Sequence, residues 1–159
     1  MGKSSLKKNP VLKIFFESID IAFNKESKTD SYKAFKKAGK NLDLGQSAVI
    51  FPEGSITADP PHLRPFKSGA FKLAIEKDVA IVPVSILNSF DIFYGEGRWG
   101  ARPGIIHCYV HKPITQNFYS ANAERELKER VYSTIANKIQ EFWMHSHYEE
   151  GWSPEHPQI

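Results

Sequence analysis

Gly45-Gln46-Ser47-Ala48-Val49-Ile50-Phe51-Pro52-Glu53-Gly54 runs from a glycine through a short apolar segment into a proline, an acid and a second glycine. Ser47–Phe51 reads as a buried strand that stops at Pro52, which has no N–H to give to a ladder. Downstream, Ser68–Lys77 has helical spacing with Phe71, Ala74 and Ile75 on one side. Ala80–Ile86 and Ile105–His111 read as two further buried strands. Glu124–His147 is a long amphipathic helix with Leu127, Val131, Ile135, Ile139 and Phe142 three or four apart. Upstream, Asp30 or Ser31 caps a helix reaching about Asn41, with Tyr32, Phe35 and Leu42 expected inward and Lys33, Lys36, Lys37 and Lys40 mostly outward. A short helix ending in Val11–Phe16 and a strand at Ile19–Phe23 precede it. Thr57–Pro65, with three prolines, is a loop, and Asn88–Gly104, with four glycines, is a surface excursion. Strands alternating with helices predict an α/β fold with a mixed, mainly parallel sheet flanked by helices. In such sheets ligands gather beyond the carboxyl ends of the strands, which makes Pro52-Glu53-Gly54 the first place to look.

The 159 residues and 18.1 kDa suit one domain, expected over 1–147, with 148–159 a disordered tail. Cys108 is the single cysteine, so neither an intrachain disulfide nor a thiolate zinc site can form. The longest apolar run, Val79–Leu87, is far short of the ~20 residues that span a bilayer. The N-terminal MGKSSLKKNP has no apolar core of signal-peptide length behind it, and its superficial fit to a myristoylation pattern at Gly2 is discounted. The net charge of +3 hides an asymmetry: residues 1–40 carry ten lysines against four acids, a balance of +6. A basic first quarter suits an anionic partner or simply a solvated helix face.

Glu53, at a strand tip beside a glycine, can accept hydrogen bonds from hydroxyls, pair with a base, act as a general acid or base, or merely cap a turn. Lys67 precedes the first turn of a helix, where free N–H groups favour an anion; a lysine there meets phosphate as a point charge, and an ordinary exposed loop lysine is the plainer reading. His107 and His111 share one strand face without an acidic neighbour in sequence. His145 and His147, beside Glu149 and Glu150, fit a polar helix terminus better than a metal site. His62 lies in the proline-rich loop. No GxGxxG, GxxxxGK[ST] or GxSxG template occurs.

Phe51-Pro52-Glu53-Gly54, then Phe66-Lys67-Ser68-Gly69-Ala70, then Ile81-Val82-Pro83-Val84 resemble, in order, successive blocks of the glycerolipid acyltransferases, most closely the bacterial 1-acyl-glycerol-3-phosphate (lysophosphatidate) type. Lys3-Ser4-Ser5-Leu6 and Ile19–Lys25 sit where that family has the region between its catalytic motif and the FPEG block, so the resemblance covers roughly residues 2–115. It implies a mixed sheet flanked by helices and transfer of a fatty acyl group to a lysophospholipid acceptor. The acyl donor, acyl-CoA or acyl-carrier protein, is a substrate, and no cofactor or metal is implied. The partners are acceptor, donor and the cytoplasmic membrane face, where the protein would be peripheral; nucleic acid is not expected. The resemblance makes Phe51, Pro52, Glu53 and Gly54 acceptor-binding residues and adds Lys67 as part of the anion site.

Three departures accompany it. The family's His-x-x-x-x-Asp motif, whose His is the general base on the acceptor hydroxyl, is absent: only Glu150 after His145 gives an acid five residues beyond a His, downstream of the blocks it should precede. No catalytic residue is therefore assigned. Ile56 replaces an arginine, removing a bidentate phosphate ligand. Asn24-Lys25 replaces Asp-Arg, keeping one charge but losing the fork. The expectation is a chain lacking the N-terminal portion of the family domain and inactive alone. The alternative is a non-catalytic binding module for anionic lipid or lysolipid.

Overall fold

The computed structural model describes residues 2–3, 22–23, 28–55, 57, 59–92, 103–115 and 122–150. The expected helix at Val11–Phe16, the first part of the strand at Ile19–Phe23, the middle of the 88–104 excursion and the tail beyond Glu150 lie outside them. So do Asn24, Lys25 and Ile56. The chain forms two compact units, Met1–Ser55 with Lys67–Val79, and Ile56–Phe66 with Ala80–Ile159.

In the first unit, β1 (Gly2–Lys3) pairs parallel to β2 (Ala22–Phe23), with Gly2 opposite Ala22 and Lys3 opposite Phe23. Helix α1 (Lys28–Asp43) follows, with Asp30 in its first turn and Lys40 in its last, both complementing the helix dipole. Its end is set by Gly45 at φ 75°. The Gln46 N–H donates to Asn41 O at 2.9 Å and the Gly45 N–H to Leu42 O at 2.9 Å, the paired bonds of a Schellman ending. Helix α2 (Gly69–Glu76) buries Phe71, Leu73 and Ala74. Ala34 and Ala38 of α1 form a core with Leu73, and Phe35, Leu42 and Ile50 pack against it. Gly39 allows the close approach: a Cβ there would lie 3.1 Å from Lys77 Cε. Lys77 Nζ also meets Asp43 Oδ2 at 2.7 Å.

Two expectations are corrected here. Tyr32 is not inward but 61% exposed, because the small side chains of Ala34 and Ala38 let α1 approach α2 on a different stripe. Residues 46–51 lie outside the described strands. Only one face of that run is covered: Ile50 reaches the core, while Val49 and Phe51 are 70% and 64% exposed. Continuous hydrophobicity marked it for burial on both faces; packing supplies one.

In the second unit, β3 (Val84–Ile86) pairs antiparallel with β4 (Cys108–Val110), Ser85 opposite Tyr109. An Ile81–Ile114 bridge extends the ladder at one end. At the other, the Asn88 side chain prolongs it, donating to Ile105 O at 3.0 Å and accepting from His107 N–H at 2.8 Å. The described strands thus contain one parallel and one antiparallel pair. Between β3 and β4 the described residues hold a single short helix, α3 (Ser89–Ile92).

Helix α4 (Ala123–Glu150) packs on β3 and buries Leu127, Val131, Ile135 and Ile139, as their spacing predicts, together with Ala123, while Phe142, expected on the same stripe, is half-buried. Trp143 Nε1 donates to Leu87 O at 3.0 Å, and its ring stacks on Phe90 at 4.9 Å. Phe66 meets Tyr132 edge-on at 5.0 Å. The strands expected at Ala80–Ile86 and Ile105–His111 are shorter and not buried throughout. Ser85 and Leu87 are covered, but Val82, Val84, Ile86, Ile105, Ile106 and Val110 are exposed.

Candidate acceptor-binding site

Phe51–Gly54 forms a tight turn closed by the Gly54 N–H donating to Phe51 O at 3.2 Å. Pro52 presets the first central position, Glu53 takes the second, and Gly54 follows in the left-handed region at φ 71°. The type I pattern favours this Pro-x-Gly spacing, so the turn is written locally.

Its position is set from further away. The Lys67 backbone N–H donates to Pro52 O at 2.8 Å, tying the turn to the residue two before α2. The Lys67 side chain then crosses Gly54. A Cβ on residue 54 would lie 2.8 Å from Lys67 Cε, 2.9 Å from Nζ and 3.0 Å from Cδ. The ammonium group therefore sits directly over the glycine, in space no other residue type would leave open. Thirteen positions separate these two residues in sequence.

Ser68, the N-cap of α2, has helical dihedrals and makes no side-chain capping bond. The first N–H groups of α2 are thus left uncapped by that side chain, next to Lys67. Glu53 and Pro52 are half-buried, Lys67 is exposed, and Phe51 presents an apolar ring to solvent at the rim. One cation, one carboxylate, an apolar edge and a helix start at one turn can hold a molecule with a phosphate, a hydroxyl and an alkyl chain. All five residues expected at the site, Phe51, Pro52, Glu53, Gly54 and Lys67, lie in the first unit. The uncapped geometry of Ser68 was not read from the sequence, where a serine before a helix normally signals a satisfied cap.

Three of the described histidines make other contacts. His62 Nδ1 lies 3.1 Å from Asp59 Oδ2 in the exposed proline loop. His107 lies against Phe142 at 5.7 Å. His111 Nε2 is 2.8 Å from the buried Ser85 Oγ. Burial, and then the charge of Lys138, lower its pKa from the ordinary 6.5. Among the described residues no group of His, Cys, Asp or Glu is arranged to hold a metal ion.

Residues 1–87, more than half of the chain and including the turn and Lys67, match the family described as Acyltransferase. A 1-acyl-sn-glycerol-3-phosphate acyltransferase of Borreliella burgdorferi is 32% identical over 88% of this chain and 56% of its own length. That of Haemophilus influenzae is 27% identical over 89% of this chain and 58% of its own. The crystal structure of the 1-acyl-sn-glycerophosphate acyltransferase PlsC of Thermotoga maritima has the same fold, with a TM-score of 0.72 and 24% identity over 96% of this chain and 57% of that one. The chain thus spans little more than half the length of these relatives. The matched span and the shared fold carry the same conclusion as the ordered blocks around the turn: the chain belongs to the Acyltransferase family.

Proposed function

We propose that this chain supplies the acceptor side of a glycerolipid acyltransferase, one that in intact form moves a fatty acyl group from acyl-CoA or acyl-carrier protein to 1-acyl-glycerol-3-phosphate. The observation that carries the reading is the Lys67 ammonium held over Gly54 of the Phe51–Gly54 turn. Lys67 and the start of α2 face the acceptor phosphate, Glu53 accepts a hydrogen bond from the glycerol hydroxyl, and Phe51 borders the alkyl chain. The names of the Haemophilus influenzae and Borreliella burgdorferi relatives, both 1-acyl-sn-glycerol-3-phosphate acyltransferases, support the acceptor class. The working place is the cytoplasmic membrane face, approached peripherally; no described helix is long and apolar enough to cross a membrane.

The chain by itself binds the acceptor without turning it over. It contains no His followed five residues later by Asp, and loss of a positioned base forfeits about 10²–10⁴ in rate. The test is a pair of measurements on the purified 159-residue chain. Submicellar lysophosphatidate is expected to bind, with Lys67→Ala weakening binding at least about tenfold, equivalent to about 1.4 kcal/mol. Incubation with lysophosphatidate and labelled acyl-CoA is expected to yield no phosphatidate. Rapid turnover would overturn the inactivity, and binding indifferent to Lys67 would overturn the site.

A further inference from the structure

The outer face of α1 carries cations without interleaved acids. Lys33, Lys36, Lys37 and Lys40 recur at spacings of three and four, so they share one face. No acid lies between Asp30 and Asp43, and the Asp43 carboxylate is engaged by Lys77. On α4, by contrast, cations alternate with acids, as in Arg125 with Glu129 and Lys138 with Glu141. The inner stripe of α1 is fixed to the core through Ala34, Ala38 and Leu73, so the lysine face is held outward.

Tyr32 is the second observation. Phe35 and Leu42 already pack against the core, yet Tyr32 stands 61% exposed at the edge of the lysine row. Lys36 Nζ lies 5.7 Å from the centroid of its ring. Tyr32 and the four lysines line one shallow, open depression. A ring with an apolar body and a polar tip beside a line of ammonium groups matches the boundary between lipid headgroups and acyl chains.

We infer that the Tyr32, Lys33, Lys36, Lys37, Lys40 face of α1 docks on an anionic phospholipid bilayer, the lysines meeting headgroup phosphates and the Tyr32 ring entering the interface. This rests on the reading of the chain as acting on a lysophospholipid, which makes a bilayer rather than a nucleic acid the polyanion at hand. The lysines span about 10 Å along the helix at ~1.5 Å per residue, so the row contacts several headgroups at once. Each lysine near such a surface contributes about fivefold to partitioning.

The experiment is flotation of the full chain, without acyl donor, on phosphatidylcholine vesicles with and without phosphatidylglycerol. Binding is expected only with phosphatidylglycerol and is expected to weaken as salt rises. The double variant Lys36→Glu, Lys37→Glu should bind at least about 25-fold more weakly. Lys112→Glu with Arg125→Glu, the same charge change elsewhere, should stay within about threefold of the parent. Tyr32→Ala should weaken binding to anionic vesicles while leaving the melting temperature unchanged. If the double reversal disturbs folding, the pair Lys36→Gln, Lys37→Gln is read instead, with the loss of about 25-fold expected from two lysines. Equal binding to neutral vesicles, an equal loss in the remote control, displacement by inorganic phosphate well beyond that by sodium chloride at the same ionic strength, or tighter binding to single-stranded RNA than to anionic vesicles would each overturn the inference. Failure of the acceptor site shows itself separately, because Glu53→Gln and Lys67→Ala are expected to float like the parent.

Discussion

Lys67 occupies the space in which any side chain on Gly54 would begin, its Nζ 2.9 Å from that position. Gly45 has nearly the same φ, 75° against 71°, with nothing within 4 Å of its missing Cβ. The two glycines therefore separate backbone strain from side-chain displacement. Gly45→Ala and Gly54→Ala should each lose roughly 1–2 kcal/mol of stability, the cost of a left-handed alanine. The clash at residue 54 adds little to this, since the far end of a lysine moves easily. Only Gly54→Ala should weaken lysophosphatidate binding. Gly54→Asn, which tolerates the backbone better but still has a Cβ, should recover most of the stability and none of the binding. Equal binding by all three variants would mean that the lysine over the glycine has no part in ligand capture.

Glu53→Gln keeps shape and removes charge. Stability is expected to change by less than about 1 kcal/mol. Binding of lysophosphatidate should fall about five- to tenfold, because a charge-assisted hydrogen bond to the hydroxyl becomes a neutral one. Inorganic phosphate, with no glycerol hydroxyl, should bind the variant as well as the parent, whereas Lys67→Ala should weaken both ligands. Calorimetric titration of the two ligands against the two variants checks the division of labour. A melting-temperature loss with unchanged ligand binding would make Glu53 a structural residue only.

His111 couples stability to pH. Its folded pKa is lowered from 6.5, first by burial and then by Lys138. The unfolded chain therefore takes up the proton first as pH falls. Full stability is present above about pH 6.5 and is lost on acidification through the interval between 6.5 and the lowered folded value. In the neutral ring with its proton on Nδ1, the Ser85 hydroxyl donates to Nε2; protonation removes that acceptor. His111→Gln should flatten this segment of the stability–pH curve, as measured by urea unfolding at stepped pH. A curve of unchanged slope would assign the acid sensitivity to other groups.

Leu127 is fully buried on α4. Leu127→Ala should cost about 2–5 kcal/mol through lost burial and the cavity left behind. Leu127→Met, close in volume, should cost less than about 1.5 kcal/mol. Thermal unfolding of the two variants checks whether the stripe of α4 is the main core of its unit.

The sequence by itself determined the three longer helices α1, α2 and α4, whereas α3 (Ser89–Ile92) lies in a segment expected to be a surface excursion. The α4 stripe, Leu127, Val131, Ile135 and Ile139, is legible because a period of 3.6 has only one consistent inward face. The Phe51–Gly54 turn is equally legible, since a proline and a glycine at those offsets select one local geometry. Tertiary structure decided which apolar surfaces are covered. Val49, Phe51, Val84 and Val110 read as buried, yet each is exposed. A strand's hydrophobicity records what it can bury, whereas burial also needs a partner on each face. Tyr32 points outward because two alanines, unremarkable in the pattern, set the approach of α1 to α2. Tertiary structure likewise placed Lys67 over Gly54 and His111 beside Ser85. These are contacts between residues thirteen and twenty-six positions apart, and local propensity carries no information about how an intervening loop or excursion returns the chain.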